Sequence, residues 1–195
     1  MKAQLTIDLK GYWHAGGGRD AGSVYDAVVQ RDPDGLPVLP GRHLKGLLRD
    51  AVARAENWGW DHFEGMTDTL FGRRNPSDEG APERGCLRIS DGMLPQAQRR
   101  WLASAEGERL TPALYAGLYA TAVEHESGTA LKHSLRGIEV TIPVKLQALI
   151  EPVPGQTPPD GWDERISDIL HLIDAVGAHR SRGLGRAEIT LEVQP

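Results

Sequence analysis

A chain of 195 residues with 22 basic and 27 acidic side chains, a net charge of −5 and a single cysteine is long enough for one sizeable core and short for two, so residues 1–195 are expected to form one domain. One cysteine excludes a disulfide scaffold or a thiolate zinc centre, and no apolar run approaches the roughly 18–20 residues that span a bilayer. The mild acidity argues against a general nucleic-acid binder, whose usual footprint is an overall basic balance.

The start, MKAQLTIDLK, alternates like a strand and lacks a signal peptide's apolar core, so the expected compartment is the cytoplasm, with no membrane partner. Within residues 4–10, Leu5, Ile7 and Leu9 fall on one face, the period-2 signature of a half-buried strand. After a glycine-rich loop, Leu44, Leu47, Leu48, Ala51, Val52 and Ala55 recur at helical spacing and predict a helix over about 43–56. Residues 86–90 and 138–150 read as two middle strands. Pro143 marks an edge, a bend or a strand start in the second. Cys86, within CLRIS, reads as a buried strand position.

A second helix is predicted over 163–176, with Asp163 and Glu164 favouring the dipole at its first turn and Ile166, Ile169, Leu170 and Ile173 as its core stripe. Residues 186–193 close the sheet with Ala187, Ile189, Leu191 and Val193 on one side. The order is βαββαβ, an α+β fold of the ferredoxin-like or RRM-like kind. Two stretches exceed that minimal fold and read as insertions: 57–85, with Trp58, Trp60 and His62, and 95–137, which opens on the helical QAQRRWLASAEG. Long excursions of this sort often carry function.

Acid and base are segregated along the chain. Residues 42–54 carry Arg42, Lys45, Arg49 and Arg54 against the single acid Asp50, while Glu56, Asp61, Glu64 and Asp68 follow closely. On the helix, Arg42, Lys45 and Arg49 share a face, which alone indicates only a solvated surface. The final loop, GAHRSRGLGR, joins Arg180, Arg182 and Arg186 to glycines that free the backbone to approach a ligand, and so favours a phosphate-rich partner. It follows a helix and opens a strand, which fits neither a P-loop nor a dinucleotide-binding turn.

The run GLPVLPGRHLKGLLR resembles the "PG-x-x-LKG-x-LR" signature of the RAMP superfamily, the RNA-binding subunits of CRISPR effector complexes, through Pro40, Gly41, Leu44, Lys45, Gly46, Leu48 and Arg49. Leu70-Phe71-Gly72, the stretch Cys86–Leu94 and the RSRGLGR loop continue the resemblance in order. It is greatest to the repeated Csm and Cmr backbone subunit of type III complexes. That resemblance implies partners: a CRISPR guide RNA, a target RNA, further copies of the chain and other RAMP subunits. Asp26 in VYDAVV stands where the family's aspartate is needed for metal-dependent cleavage of target RNA, which implies a weakly bound Mg²⁺ or Mn²⁺. The family often has a small polar residue and proline after that aspartate, where this chain has Ala27 and Val28.

The segment 121–136 resembles the β-hairpin thumb that reaches over the guide–target duplex. Val123 and Leu131 flank a turn at Gly128 and supply apolar tips, with His125 and Lys132 beside them for phosphate contact. His125 and His133 have no third ligand at a persuasive spacing, so a metal site there is not expected. Two other roles remain open within the superfamily: a guide-processing endoribonuclease with His14 as general base, or a non-cleaving capping subunit that holds the guide's 5′ handle.

Overall fold

Ala3, Leu5, Ile7 and Leu9 form the buried half of a strict alternation along β1 (Lys2–Leu9). The computed structural model describes residues 1–18, 25–73 and 83–194. The elements that follow are β2 (Val38–Leu39), α1 (Gly41–Asn57), α2 (Met66–Phe71), β3 (Leu87–Ile89), β4 (Gly92–Met93), α3 (Gln96–Leu102), β5 (Tyr115–Ala120), β6 (Arg136–Thr141), β7 (Lys145–Pro152), α4 (Trp162–Ile169) and β8 (Ala187–Gln194).

The main sheet runs β2-β4-β7-β1-β8, with β3 also paired to β7, and every pairing is antiparallel. β1 and β3, joined through α1, therefore run parallel on either side of β7. β7 and β8, joined through α4, do the same around β1. These are two interlocked split βαβ units, the ferredoxin-like arrangement expected from the sequence. Both helices cover the same sheet face, and their apolar stripes merge with β1 and β7 into one core. Leu44, Leu48 and Ile166 are at most 1% exposed, and each such side chain contributes about 1.5–3 kcal/mol on burial.

Several elements depart from the sequence expectation. The strand predicted over 138–150 is two strands in two sheets: β6 pairs only with β5, and β7 enters the main sheet. Pro143, lacking an N–H, sits at the crossing between them. The second helix gives way to a 3-10 turn at Leu170–Leu172 instead of continuing to 176, and Ile173 is already extended (φ −108°, ψ 96°). Ile173 and Val176 stay buried, so the apolar stripe outlasts the helix. What ends it is pairing of Ala175 with Arg186 and donation by the Val176 N–H to Gly185 O (2.8 Å).

Gln4, Thr6, Asp8, Gln147 and Thr190 line the sheet face away from the helices. An RRM stacks bases there on aromatic side chains, but β1, β7 and β8 contain none. The lysines on that side are paired with acids: Lys10 with Asp8 (2.9 Å) and Glu188 (3.0 Å), and Lys2 with Glu151 (2.9 Å). The topology is RRM-like without the RRM's base-stacking surface.

Candidate nucleic-acid interface

The final loop turns on two glycines in the left-handed region. A Cβ on Gly177 (φ +83°) would lie 2.5 Å from His14 O, and one on Gly185 (φ +76°) would collide with Val176 O. Their freedom thus lets the loop close on its own chain, through Ala178 N–H to His14 O (2.7 Å) and Gly185 N–H to Tyr12 O (2.8 Å). This corrects the expectation that the glycines serve a ligand's approach; of the positive-φ glycines in this loop, only Gly183 (φ +84°) has open space around it. The 3-10 turn Arg180–Arg182 leaves both arginines exposed, with no ion-pair partner among the described residues.

The loop abuts the start of α1. Gly41 is packed against β3, where a Cβ would come within 2.5 Å of Ile89 O, and its N–H donates to Asp91 Oδ1 (2.6 Å). His43 Nε2 accepts the Gly177 N–H (2.8 Å). Burial and the nearby Arg180 guanidinium push its pKa below the ordinary histidine value, which keeps that nitrogen an acceptor. Arg42, His43 and Arg180 therefore form one neighbourhood, although 137 residue numbers separate the second from the third.

The remaining cations divide. Arg42 and Lys45 line a hollow of about 580 Å³ with Arg84 and Arg88, two arginines the sequence reading did not single out. Arg49 sits elsewhere: its guanidinium donates to Gly72 O and to Asp68 Oδ1 (3.2 Å), joining α1 to α2. Arg186 lines a different hollow of about 690 Å³ between β8 and the end of α4, beside Lys10.

β5 and β6 form a two-stranded ladder, Tyr115↔Thr141 to Ala120↔Arg136, that carries residues 121–135 beyond it. An inner bridge, Val123↔Ala130, and the Gly128 turn (φ +66°) continue the hairpin. Val123 is 60% exposed and Leu131 44%, and the apolar surface extends to Tyr119 and Leu135, at 59% and 70%. His125 and Lys132 are exposed on the same excursion. Leu135 closes a polar run in the sequence, which gives it no apolar signal of its own.

Asp26 lies at the hairpin's base, exposed. Its N–H donates to Gly137 O (2.8 Å), and its Oδ2 accepts the Gly137 N–H (2.9 Å). Ala27 then pairs with Ile138 in parallel. Beneath, the buried Glu139 accepts from Arg31 (2.7 Å) and from the Val29 N–H (3.1 Å). The Arg31 guanidinium lies 4.0 Å from the centre of the Tyr115 ring. Tyr115 donates to Gly35 O (2.6 Å), and burial above all pushes its pKa up to about 12. Arg31, Tyr115 and Glu139 were not legible as a unit, since more than a hundred residues separate the first and last.

No group of three or more His, Cys, Asp or Glu suited to a metal ion occurs among the described residues. Asp26 alone offers one carboxylate oxygen, Oδ1, without a hydrogen-bond partner among them. Mg²⁺ commonly keeps several waters and takes one or two carboxylates plus substrate phosphates. The donor set therefore suits an ion held jointly with the phosphates of a bound ligand and not one held by protein alone.

The RAMP superfamily model matches residues 6–188. The chain belongs to the RAMP superfamily. Among solved structures, a chain of the type III-B Cmr-beta cryo-EM structure bound to cognate target RNA superposes with a TM-score of 0.70 at 10% identity, covering 98% of this chain and 97% of that one. A chain of the apo-state Cmr-beta structure gives 0.68 at 10% identity over the same shares. At such identity the likeness shows the fold. No curated protein matches the sequence significantly. No helix among the described residues is long and apolar enough to cross a membrane.

Proposed function

We propose that this RAMP protein is a guide-RNA-binding backbone subunit of a type III effector complex, assembled with further copies of itself and other RAMP subunits along a CRISPR RNA paired to target RNA. The observation that carries the reading is the convergence of the α1 start and the arginine loop, held together by the His43–Gly177 hydrogen bond. Arg42, Lys45, Arg180 and Arg182 hold guide phosphates there, positioning the strand without reading its sequence, which is left to base pairing. Arg186 extends that contact from the neighbouring hollow, while Arg49 acts through the α1–α2 joint. The 121–136 excursion is the thumb, with Val123 and Leu131 as wedges against the base stack and His125 and Lys132 toward phosphates.

In this reading Asp26 holds a Mg²⁺ or Mn²⁺ ion with RNA phosphates; the ion supplies charge neutralisation at the scissile phosphate. The chain fixes Asp26 through Gly137 so that Oδ1 stays presented to the strand. A second reading, a non-cleaving scaffold, draws on the same bond: Asp26 would then only pin its loop to β6.

Replacing Arg42 and Arg180 by alanine should weaken binding equally for unrelated RNA sequences and flatten the log–log salt slope by about 1.4, roughly 0.7 per lost phosphate contact. An unchanged slope would return both residues to an ordinary solvated surface.

A further inference from the structure

A pocket of about 310 Å³ lies where the first loop, the start of α1 and the final loop meet, lined by His14, Gly16, Arg42, His43 and Gly177 among others. Its size is at the small end for ligand sites, roughly 300–1,000 Å³, and suits one sugar-phosphate unit better than a whole nucleotide. Two of its features are charge-related: the exposed Arg42, and the positive end of the seventeen-residue α1, where anions are favoured and Asp91 Oδ1 already takes the Gly41 N–H (2.6 Å).

The third feature is an unpartnered acceptor on a buried ring. His14 is 3% exposed, and its Nδ1 lies 2.6 Å from Glu139 O. A carbonyl oxygen only accepts, so Nδ1 carries the proton and Nε2 of the neutral ring is a bare lone pair. That Nε2 has no partner among the described residues. It lies directly beneath Gly16, where an added Cβ would approach to 3.0 Å. That nitrogen opens onto the pocket, and the phosphodiester of a bound strand, which has no proton to give, cannot donate to it.

Resting on the guide-binding reading, we infer that this pocket recognises the ribose of a bound strand, with His14 Nε2 accepting the 2′-hydroxyl proton while the adjoining phosphate meets Arg42 and the α1 start. The 2′-hydroxyl distinguishes RNA from DNA at a protein site. His14 is then a specificity-determining residue that selects RNA over DNA, with no part in cleavage. Gly16 is required because any side chain there would cover the acceptor.

The test measures binding of the full chain to one fixed sequence made as RNA, DNA and 2′-fluoro RNA. Fluorine keeps the ribose-like pucker but cannot donate, so wild type should bind RNA more tightly than either other strand. In Gly16→Ala, an exposed loop change whose Cβ would crowd His14 Nε2 at 3.0 Å, the RNA-to-DNA and RNA-to-fluoro affinity ratios should fall by a few-fold to about tenfold, the range of one hydrogen bond. His14→Asn, whose amide still donates toward Glu139 O but has nothing at the Nε2 position, should lose the same preference. Equal binding of RNA and 2′-fluoro RNA by wild type, or unchanged ratios in Gly16→Ala, would overturn the assignment and leave guide binding standing. Cleavage of the RNA in EDTA that disappears in His14→Asn would also overturn it, making the pocket a general-base site. Failure of wild type to bind any of the three strands would end both readings.

Discussion

The main sheet with its two helices and the β5–β6 hairpin are held in place by different physics. In the first, Ala3, Leu5, Ile7, Leu44, Leu48 and Ile166 interdigitate with almost no polar atom among them. In the second, the hairpin meets the loop at 25–31 through Glu139, Arg31, Asp26 and Tyr115, each held by a directed hydrogen bond. Apolar burial is non-directional and summed over many contacts, so it resists single changes in position but not in volume. A few directed bonds do the reverse: they set an angle and can be lost singly. A part that projects from the core is better aimed by the second kind.

The comparison breaks most sharply at Leu48, which is 1% exposed. Leu48→Ala should cost about 2–5 kcal/mol through lost burial and a cavity, lowering the midpoint of a single cooperative urea transition. Equal destabilisation by a substitution at the exposed Leu135 would refute the division, because there the expected change is within about 0.5 kcal/mol.

Glu139→Ala comes next. It orphans the Val29 N–H and the Arg31 guanidinium, and charged hydrogen bonds of this kind contribute about 1.5–3 kcal/mol. The loss should be local: amide exchange should accelerate at residues 25–31 and 136–141 while β1 and β7 keep their protection. Uniform acceleration through both sheets would show that the hairpin and the core unfold as one unit.

What could be read from sequence follows the same line. The alternation Leu5-Ile7-Leu9 and the stripe Leu44 to Ala55 report burial directly, because period and partner are local properties, and the elements appear within a few residues of where they were expected. The hairpin base was opaque: Ile138 and Leu146 look like one continuous strand until Pro143 is seen to hand the chain between sheets. Arg49, on the helix face with Lys45, could not be known to reach Gly72 and Asp68, a contact set by α2's placement. The glycines at 177 and 185 were visible as glycines, but not whether a ligand or His14 and Val176 would occupy the space they leave.

Asp26 sharpens the comparison with a smaller effect on stability. Asp26→Ala removes the Gly137 N–H acceptor and should cost about 0.5–1.5 kcal/mol, with faster exchange at Gly137. Asp26→Asn retains an amide oxygen for that bond and should cost less, while removing the charge that attracts a divalent ion. If assembled complexes of the asparagine variant keep guide and target but lose Mg²⁺-dependent cutting, Asp26 acts on the ion. If only the alanine variant alters the complex, and wild type leaves a matched target intact, the pinning role is its whole function.

The smallest effect is expected at His43, where the two kinds of support meet. Its apolar surroundings and Arg180 lower its pKa from 6.5, so in the native protein Nε2 stays free to accept from Gly177. Between that lowered value and 6.5 the unfolded chain binds a proton that the folded chain refuses, and unfolding is therefore favoured as the pH falls. The contribution is fully present above about pH 7 and is lost as the pH is lowered through this window, until the native pKa is reached. His43→Gln supplies an uncharged acceptor near the same position, so its stability should vary less between pH 7 and 5 than that of wild type, measured as urea midpoints at fixed salt. Arg180→Ala should narrow the window by raising the native histidine pKa toward 6.5, and a pH profile identical in all three proteins would show that the His43–Gly177 bond does not govern the junction of α1 with the final loop.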